Sequence, residues 1–273
     1  MLNITRADVL HDPFPHVVKD NILPTALYEK LRSDFPSATF FDAIAERTGT
    51  QGSRVGSGFD IYRGDPEYEK LIAESEAWVQ LDQYINSPKF IEKFLEVFGE
   101  DLSRLKCRVS VSPSDYESGY IEPRTVLRAE QSISDRLKSY VPKAKRFTLK
   151  KARFFTRLDI ERGVGGYAKP PHCDRPNRLC SLIVYFTDAD SVGLNGGELN
   201  VYAHKKSREV DEYERHPKPS DVTVVSTLRP RENLGVFFPC CNNSYHGVNA
   251  VESNFVERDF LYINVSAIDC DCW

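Results

Sequence analysis

The pattern of apolar and polar positions along the chain changes near residue 150. Before this point, apolar residues recur at the three- and four-residue spacing of amphipathic helices. Ser87-Pro88 reads as a helix N-cap followed by proline in the first turn. The pattern predicts helices over residues 24–35, 66–85 and 88–98, with a weaker one over 126–140.

From residue 151 the pattern becomes one of short apolar or alternating runs separated by turn residues. Such runs with few helical signals between them predict an antiparallel sandwich or barrel. The predicted strands are ARFFTRL, LCSLIVYFT, GELNVYA, VTVVSTL, LGVFFP, HGVNAV and DFLYINVS. The highly charged segment 204–221 between them is interpreted as a solvent-exposed insertion. Four glycines in residues 48–58 predict a loop, either plain surface or a lid.

The composition of the 273 residues is that of one globular domain, in which a mostly helical region, 1–150, packs on a β core, 151–273. A net charge of −4 argues against a general nucleic-acid binder. The longest uncharged stretch, 233–251, contains proline, asparagine and histidine and is no membrane span. Seven irregularly spaced cysteines indicate no disulfide framework, and no secretory signal is recognisable. We expect a soluble, cytoplasmic protein that binds neither nucleic acid nor membrane.

The triplet His172-Cys173-Asp174 carries the first chemical signal. Two imidazoles and one carboxylate leave several positions of an octahedral metal open, as O2 activation requires. The triplet offers two of these ligands from one turn of chain. Such triplets are common by chance, but this one lies between the predicted strands 152–158 and 179–187, where strand ends converge on a cavity.

Three histidines remain for the third position. His204 and His216 lie in the charged insertion, where a solvated side chain is the ordinary explanation. His246 instead opens a predicted strand, after an apolar strand and a polar turn. The sequence therefore favours His246.

Arg258 follows His246 by twelve residues and opens the last predicted strand. If residues 246–251 and 257–265 form a hairpin, Arg258 lies near Asn249, about 10 Å along the strand from His246. A dicarboxylate that chelates the metal at one end would then reach the guanidinium with its other end.

Strand alternation places Arg258, Phe260 and Tyr262 on one face, which we expect to line the cavity, and Leu261 and its alternating neighbours on the other, under the N-terminal helices. A buried arginine needs an anion, because an unpaired buried charge is unfavourable. The alternative is an ion pair with an adjacent carboxylate, that of Glu257 or Asp259.

The order PPHCD, a strand ending in VYFT, GGEL, FFPCCNNSYHGV and then Arg258 resembles the 2-oxoglutarate/Fe(II) oxygenases of prolyl 4-hydroxylase type. The resemblance covers about residues 151–267, and the opening FPHVVKDNILPTALYEKLRSDFP is also similar to that family. It implies a mainly β fold, a double-stranded β-helix (cupin-like jelly roll) with N-terminal helices packed on one sheet. The spacing from His172 to His246 exceeds that of compact relatives, and the charged insertion accounts for the excess.

The resemblance also implies a ligand set. His172, Asp174 and His246 would hold Fe(II), and Arg258 would bind the distal carboxylate of 2-oxoglutarate. No catalytic side chain is implied beyond the metal ligands. O2 is the further reactant, and ascorbate a supporting reductant. The remaining residues assigned to the cosubstrate are Tyr185, Leu199 and Ser181.

The implied reaction couples oxidative decarboxylation of 2-oxoglutarate to hydroxylation of a C–H bond, with desaturation and cyclisation left open. Arg175, Asn177 and Arg178 directly follow the metal motif and either bind an anionic substrate or form rim salt bridges. Tyr167 is a fourth candidate for the substrate. We expect a small polar or anionic metabolite, such as an amino acid or a biosynthetic intermediate.

Three alternatives remain open at this stage. The first is a hydroxylase of protein side chains. The second is a non-enzymatic, cupin-like metal- or ligand-binding protein, which would need a closed coordination shell. The third is a hydrolase or isomerase that uses zinc or manganese, which would need a further acid or base near the metal.

Overall fold

The computed structural model describes residues 1–47, 59–122, 150–206, 212–252 and 256–273. The helix predicted over 126–140 and the glycine-rich segment 48–58 lie outside these residues. Within the described ranges, none of the helices has the length and apolar character needed to cross a membrane. The α-helices are α1 Thr25–Ser33, α2 Ala38–Arg47, α3 Pro66–Glu74, α4 Glu76–Ile85, α5 Pro88–Phe98 and α6 Asp101–Arg104.

The strands lie mostly in the second half of the chain. Before residue 150 they are β1 Val9–Leu10, β2 His16–Lys19, β3 Phe59–Tyr62 and β4 Val109–Ser110. From residue 150 they are β5 Lys150–Lys151, β6 Phe154–Gly163, β7 Lys169–His172, β8 Arg178–Tyr185, β9 Leu199–His204, β10 Val222–Leu228, β11 Gly235–Pro239, β12 His246–Val248 and β13 Arg258–Ala267.

Two antiparallel sheets form a sandwich and do not close into a barrel. The larger has the order β1-β2-β11-β8-β13-β6-β3, and the smaller β10-β9-β12-β7. Their inner faces touch where Phe238 of β11 meets His246 of β12, with ring centroids 4.9 Å apart. The prediction of a mainly β jelly-roll core with N-terminal helices is confirmed.

The N-terminal region contributes strands as well as helices. β2 pairs with β11, and β3 pairs with β6, so both margins of the large sheet come from the first 62 residues. The sequence analysis did not predict these strands. They have four residues each, too few for an alternating pattern to stand out, and the core strands with which they pair, β11 and β6, lie at least about a hundred residues away.

Helix α5 covers the outer face of the large sheet, as its apolar stripe predicts. Phe90, Phe94 and Phe98 all contact Phe237 of β11, with ring centroids 5.3–6.2 Å apart. Each fully buried phenylalanine contributes about 1.5–3 kcal/mol of burial free energy. The helices therefore fix the outer face of the sheet and leave its inner face for the cavity.

The helical spacing over residues 66–85 is confirmed, but the structure divides this segment into two helices, α3 and α4, that meet at Ser75. The Ser75 hydroxyl accepts a hydrogen bond from the backbone N–H of Trp78 at 3.4 Å and donates to Asp34 at 2.6 Å. Serine here is the N-cap of a new helix, because its side chain satisfies a donor that the helix start leaves unpaired. Helical periodicity on both sides concealed this break.

His16 of β2 is buried, and its Nδ1 lies 2.8 Å from the carbonyl oxygen of Phe14. Burial lowers the pKa of His16, so the folded protein keeps the ring neutral where the unfolded chain takes up a proton. The stability that His16 contributes is therefore complete above about pH 6.5 and is lost as the pH falls below it. We expect His16→Asn to lose less unfolding free energy than wild type between about pH 7 and about pH 5. Urea unfolding at both values checks this, and parallel losses in the two proteins would contradict it.

Candidate metal centre and anion pocket

The three predicted metal ligands come together at the ends of β7 and β12. His172, the last residue of β7, is paired in register with His246, the first residue of β12, and their ring centroids lie 4.4 Å apart. Asp174 follows two residues later. One ligand atom from each of the three residues lies within 4.8 Å of the others, the only such group in the described part of the chain.

Backbone carbonyls orient both imidazoles. His172 Nδ1 lies 2.9 Å from the oxygen of Pro170, and His246 Nδ1 lies 2.9 Å from the oxygen of Ser244. A ring that donates from Nδ1 presents the lone pair of Nε2 to a metal. Burial, and then the neighbouring His246, lower the pKa of His172 to about 3. That ring therefore stays in the neutral form that binds metals.

A dense set of donors holds the buried carboxylate of Asp174. Arg178 Nη1 donates to Oδ1 at 2.8 Å, and the hydroxyls of Tyr262 and Ser181 donate to Oδ2 at 2.8 and 3.0 Å. The Cys240 thiol lies 3.3 Å from the same oxygen. Burial acts to raise the pKa of Asp174, but the positive charge of Arg178 outweighs this effect and holds the pKa well below its usual range. The side chain is thus an ionised, oriented ligand.

We expect Tyr262→Phe to weaken metal binding by about 10- to 100-fold, the usual effect of removing a hydrogen bond to a metal ligand. The variant removes only a hydroxyl that contacts Asp174 and Ser181. Metal titration of the purified protein measures the effect. Tyr116→Phe, which removes a hydroxyl bonded to Asn86, is the matched control and should bind metal as wild type does. Equal affinity in both variants would show that the Tyr262 hydroxyl does not support the centre.

Two imidazoles and one carboxylate on one side of a site are the donor set of non-haem iron centres that keep open positions. The other two histidine candidates do not join it. His204 lies 3.8 Å from Glu214, and the ring of His216 stacks against His172 with centroids 6.2 Å apart. The residues present therefore fit a catalytic iron.

Arg258 is a buried cation with a hydrogen-bond donor that the described residues leave unsatisfied. It is 1% exposed, its Nε donates to the carbonyl oxygen of Gly197 at 2.7 Å, and its Nη2 donates to the Tyr185 hydroxyl at 3.0 Å. Nη1 has no hydrogen-bond partner among the described residues. A buried guanidinium with an unsatisfied donor requires an anion, so the pocket fits the carboxylate of a cosubstrate.

The alternative that Arg258 pairs with an adjacent carboxylate is wrong. Asp259 points to the other face of β13, where both its oxygens accept hydrogen bonds from Arg162 at 2.7–2.8 Å. Glu257 lies 3.8 Å from the same Arg162. Both adjacent carboxylates therefore lie near Arg162, and neither forms an ion pair with Arg258.

Aromatic rings and a glycine shape the pocket around the guanidinium. Its Cζ lies 4.2 Å from the ring centroid of Phe260, 4.9 Å from that of Tyr185 and 5.7 Å from that of Tyr167. Gly197 has a φ of +76°, and a Cβ there would lie 3.0 Å from Cδ of Arg258. The GGEL sequence therefore allows the backbone to approach the arginine closely.

The predicted hairpin between residues 246–251 and 257–265 is wrong. β12 pairs with β7 and β9 in the small sheet, whereas β13 pairs with β6 and β8 in the large sheet. The chain crosses from one sheet to the other between them. Arg258 therefore faces the interior from the opposite wall of the sandwich, and it reaches the small sheet through Gly197. Alternation gives the inward face of a strand but not its partner.

The other predicted cosubstrate residues lie on the inner walls. Tyr185 is fully buried, and burial raises its pKa while Arg258 opposes the rise. Leu199 is buried and pairs with Val248, two residues beyond His246. The hydroxyl of Ser181 contacts Asp174, one of the three predicted metal ligands. Its assignment to the cosubstrate remains a prediction.

The four residues predicted to meet the substrate have different surroundings. Arg178 is engaged with Asp174 and with the Tyr262 hydroxyl at 2.7 Å, and Asn177 donates to the carbonyl oxygen of Ala267 at 3.3 Å. Tyr167 lies beside Arg258. Arg175 is exposed and has no acidic partner among the described residues.

The structure adds residues that the sequence analysis did not select. Tyr262 and Cys240 support Asp174. Alternation had placed Tyr262 on the cavity face, but nothing in the sequence indicated what it touches. The charged insertion, expected to be solvated, returns to the metal ligands: the backbone N–H of Cys173 donates to the carbonyl oxygen of Arg215 at 3.0 Å.

Comparison with known proteins found one family model and several solved structures that are similar to this chain. Residues 158–263 match the family model described as the 2OG-Fe(II) oxygenase superfamily. A Pseudomonas putida prolyl-4-hydroxylase is 14% identical, with a TM-score of 0.43 over 92% of this chain and 91% of that one. A Trichoplax adhaerens prolyl hydroxylase in complex with a hypoxia inducible factor peptide fragment is 11% identical, with a TM-score of 0.40 over 92% and 83%. No curated protein matches this chain in sequence.

Proposed function

We propose that this chain, whose residues 158–263 match the model of the 2OG-Fe(II) oxygenase superfamily, hydroxylates a C–H bond of a small polar or anionic metabolite. It is an Fe(II)- and 2-oxoglutarate-dependent oxygenase of the hydroxylase type, and O2 is its other reactant.

One observation carries the assignment of residues: an open metal-ligand set shares the interior of the sandwich with an unpaired buried arginine. His172, Asp174 and His246 would hold the iron. Tyr262 lies four residues after Arg258 on the same face of β13, and its hydroxyl donates a hydrogen bond to Asp174. The metal ligands and the guanidinium therefore face the same interior space, separated by about four residues along β13. When bound, the iron and 2-oxoglutarate together supply the O2 activation that side chains cannot provide.

The groups at the far end of the cavity suit the distal carboxylate of 2-oxoglutarate. Nη1 of Arg258 is free to donate to it. The Tyr185 hydroxyl already accepts from Arg258, so its own proton is available for a second hydrogen bond to the anion. Phe260 and Leu199 are buried and exclude water from this end. Charge-assisted bonds in such a dry pocket are strong.

The arrangement does not favour the rival functions. A structural metal site needs a closed shell of four ligands, and the described residues bring together three. The binding-protein alternative also gives no role to the unpaired Arg258. A hydrolase would need a further acid or base near the metal, whereas the nearest hydroxyl, thiol and guanidinium groups are engaged with Asp174.

Positive charge beside the metal ligands supports an anionic metabolite as substrate. Arg175 follows Asp174 directly, and Arg215 lies against Cys173. A peptide side chain remains the second candidate. Succinate formation above background, measured with panels of free amino acids, carboxylic acids, phosphorylated metabolites and peptides, separates the two. Turnover of peptides alone would overturn the assignment to small metabolites.

The cosubstrate assignment has a direct test. Anaerobic Fe(II) titration with and without 2-oxoglutarate should give a weak visible charge-transfer band only when both are present. Tight metal binding without such a band would contradict the assignment of Arg258 and Tyr185 to 2-oxoglutarate.

A further inference from the structure

The far end of the charged insertion lies against the turn that carries two metal ligands. We call residues 212–217 the return arm. Besides the hydrogen bond from Cys173 to the carbonyl oxygen of Arg215, the Tyr213 hydroxyl lies 3.4 Å from the carbonyl oxygen of Asp174. The return arm thus brings Arg215 beside the metal centre, although it is about forty residues away in sequence.

Arg215 is in an unfavourable position unless it meets an anion. Its Nε is buried and has no hydrogen-bond partner in the described part of the chain. In the same part of the chain, no carboxylate lies within ion-pair distance of its guanidinium or of that of Arg175. Two other arginines nearby are neutralised: Arg178 by Asp174 at 2.8 Å, and Arg157 by Asp159 at 2.6 Å.

Arg175 and Arg215 lie on adjacent segments beside the metal turn. Arg175 is exposed and follows Cys173 by two residues, and the backbone N–H of Cys173 donates to the carbonyl oxygen of Arg215 at 3.0 Å. The carboxylate of Glu122 is already bound to Arg157 at 3.3 Å. Two positive charges on adjacent segments favour binding of an anion between them.

We propose that Arg175 and Arg215 form an anion-binding pair that holds a carboxylate or phosphate group of the substrate beside the metal centre. The inference rests on the proposed function, because it names the substrate group that this site selects. The planar guanidinium fork matches both oxyanions through paired hydrogen bonds. The pair is built from two distant segments, Arg175 from the metal turn and Arg215 from the insertion, so the insertion acts as a specificity element of the site.

The test uses two probes, radiolabelled inorganic phosphate and radiolabelled acetate. Each is titrated by equilibrium dialysis into protein already saturated with Mn(II) and 2-oxoglutarate, which fill the metal centre and the Arg258 pocket. The proteins compared are wild type, Arg175→Gln, Arg215→Gln and Arg215→Lys. Arg32→Gln is the matched control, since it removes an exposed, paired arginine on α1. Binding of 2-oxoglutarate is measured separately in each.

We expect one or both probes to bind wild type and Arg32→Gln equally, and to bind each glutamine variant about tenfold or more weakly, as loss of a charge-assisted hydrogen bond requires. Arg215→Lys, which keeps the charge, should retain much of the binding. A preference for phosphate or for acetate identifies the substrate group.

Two results would overturn the pair: no binding of either probe to wild type, or equal binding in all five proteins. Weakening in Arg215→Gln and Arg215→Lys to the same extent, with a lowered melting temperature in both, would also overturn it, because the role would then be structural. If 2-oxoglutarate fails to bind any of the proteins, the proposed function fails instead.

Discussion

Replacing His246 by alanine will remove iron binding, with a loss of metal affinity of at least about 100-fold, the upper range for residues that merely support a ligand. His246 presents Nε2 to the same point as His172 and Asp174, and a site left with two ligands does not hold Fe(II) firmly. Anaerobic Fe(II) titration measures the affinity, and 2-oxoglutarate turnover should vanish with it. Because His246 is buried, its melting temperature must be followed, and His246→Gln provides a larger side chain that fills the space.

The matched control for this experiment is His204→Ala. His204 was an alternative third ligand in the sequence, and it lies on β9 beside the strand that carries His246. Its Nε2 instead faces Glu214. The control should bind one equivalent of iron as wild type does. Loss of iron in His204→Ala together with its retention in His246→Ala would show that the triad is wrongly assigned.

Replacing Arg258 by methionine will weaken 2-oxoglutarate binding by about 30-fold or more, equivalent to the 2–5 kcal/mol of a buried, hydrogen-bonded charge pair. The unbound protein should lose little stability, because the loss of the hydrogen bonds to Gly197 and Tyr185 is offset by removal of a buried cation that has no carboxylate partner among the described residues. Thermal unfolding with and without 2-oxoglutarate checks both statements. The upward shift of the melting temperature caused by the cosubstrate should disappear in the variant.

Arg162→Met is the control, in which we expect a loss of stability without a loss of affinity for 2-oxoglutarate. Arg162 is also buried, but it is paired with Asp259 through two hydrogen bonds on the other face of β13. Breaking this pair leaves a carboxylate without its cation, so the unbound protein should lose stability while its affinity for 2-oxoglutarate stays near that of wild type. If Arg258→Met destabilises the unbound protein as strongly as Arg162→Met, Arg258 has a structural partner and the cosubstrate assignment fails.

Patterns within a few residues of the chain were enough to predict the ligand turn, the inward face of β13 and the buried face of α5. His172 and Asp174 share one turn, so their proximity needs no tertiary information. The face of β13 followed from two-residue alternation, which any strand obeys whatever its partner. The stripe of α5 was likewise fixed by helical spacing. In each case the relevant distance along the chain is a few residues.

Pairing between distant segments was not predictable in this way. The strands β2 and β3 are too short for a pattern, and the partner of β12 was misassigned to β13, because a loop that crosses between sheets resembles a hairpin turn in sequence. The position of Arg215 depends on contacts of the return arm with the metal turn, among them the backbone hydrogen bond to Cys173. Charge alone predicted a solvated insertion, since composition does not show which face a long loop folds back onto.

The sequence by itself determined the ligand types, the inward face of Arg258 and an antiparallel β core, because these depend on residue identity and on periodicities of two to four residues. The jelly-roll class came from the family resemblance. Only the tertiary structure decided that Arg258 faces the metal ligands across the sandwich, that Asp259 pairs with Arg162 and leaves Arg258 without a carboxylate, and that the return arm adds Arg215 to the site. These features depend on contacts between residues far apart in the chain, which are fixed by how the sheets, helices and loops pack together and not by any local pattern.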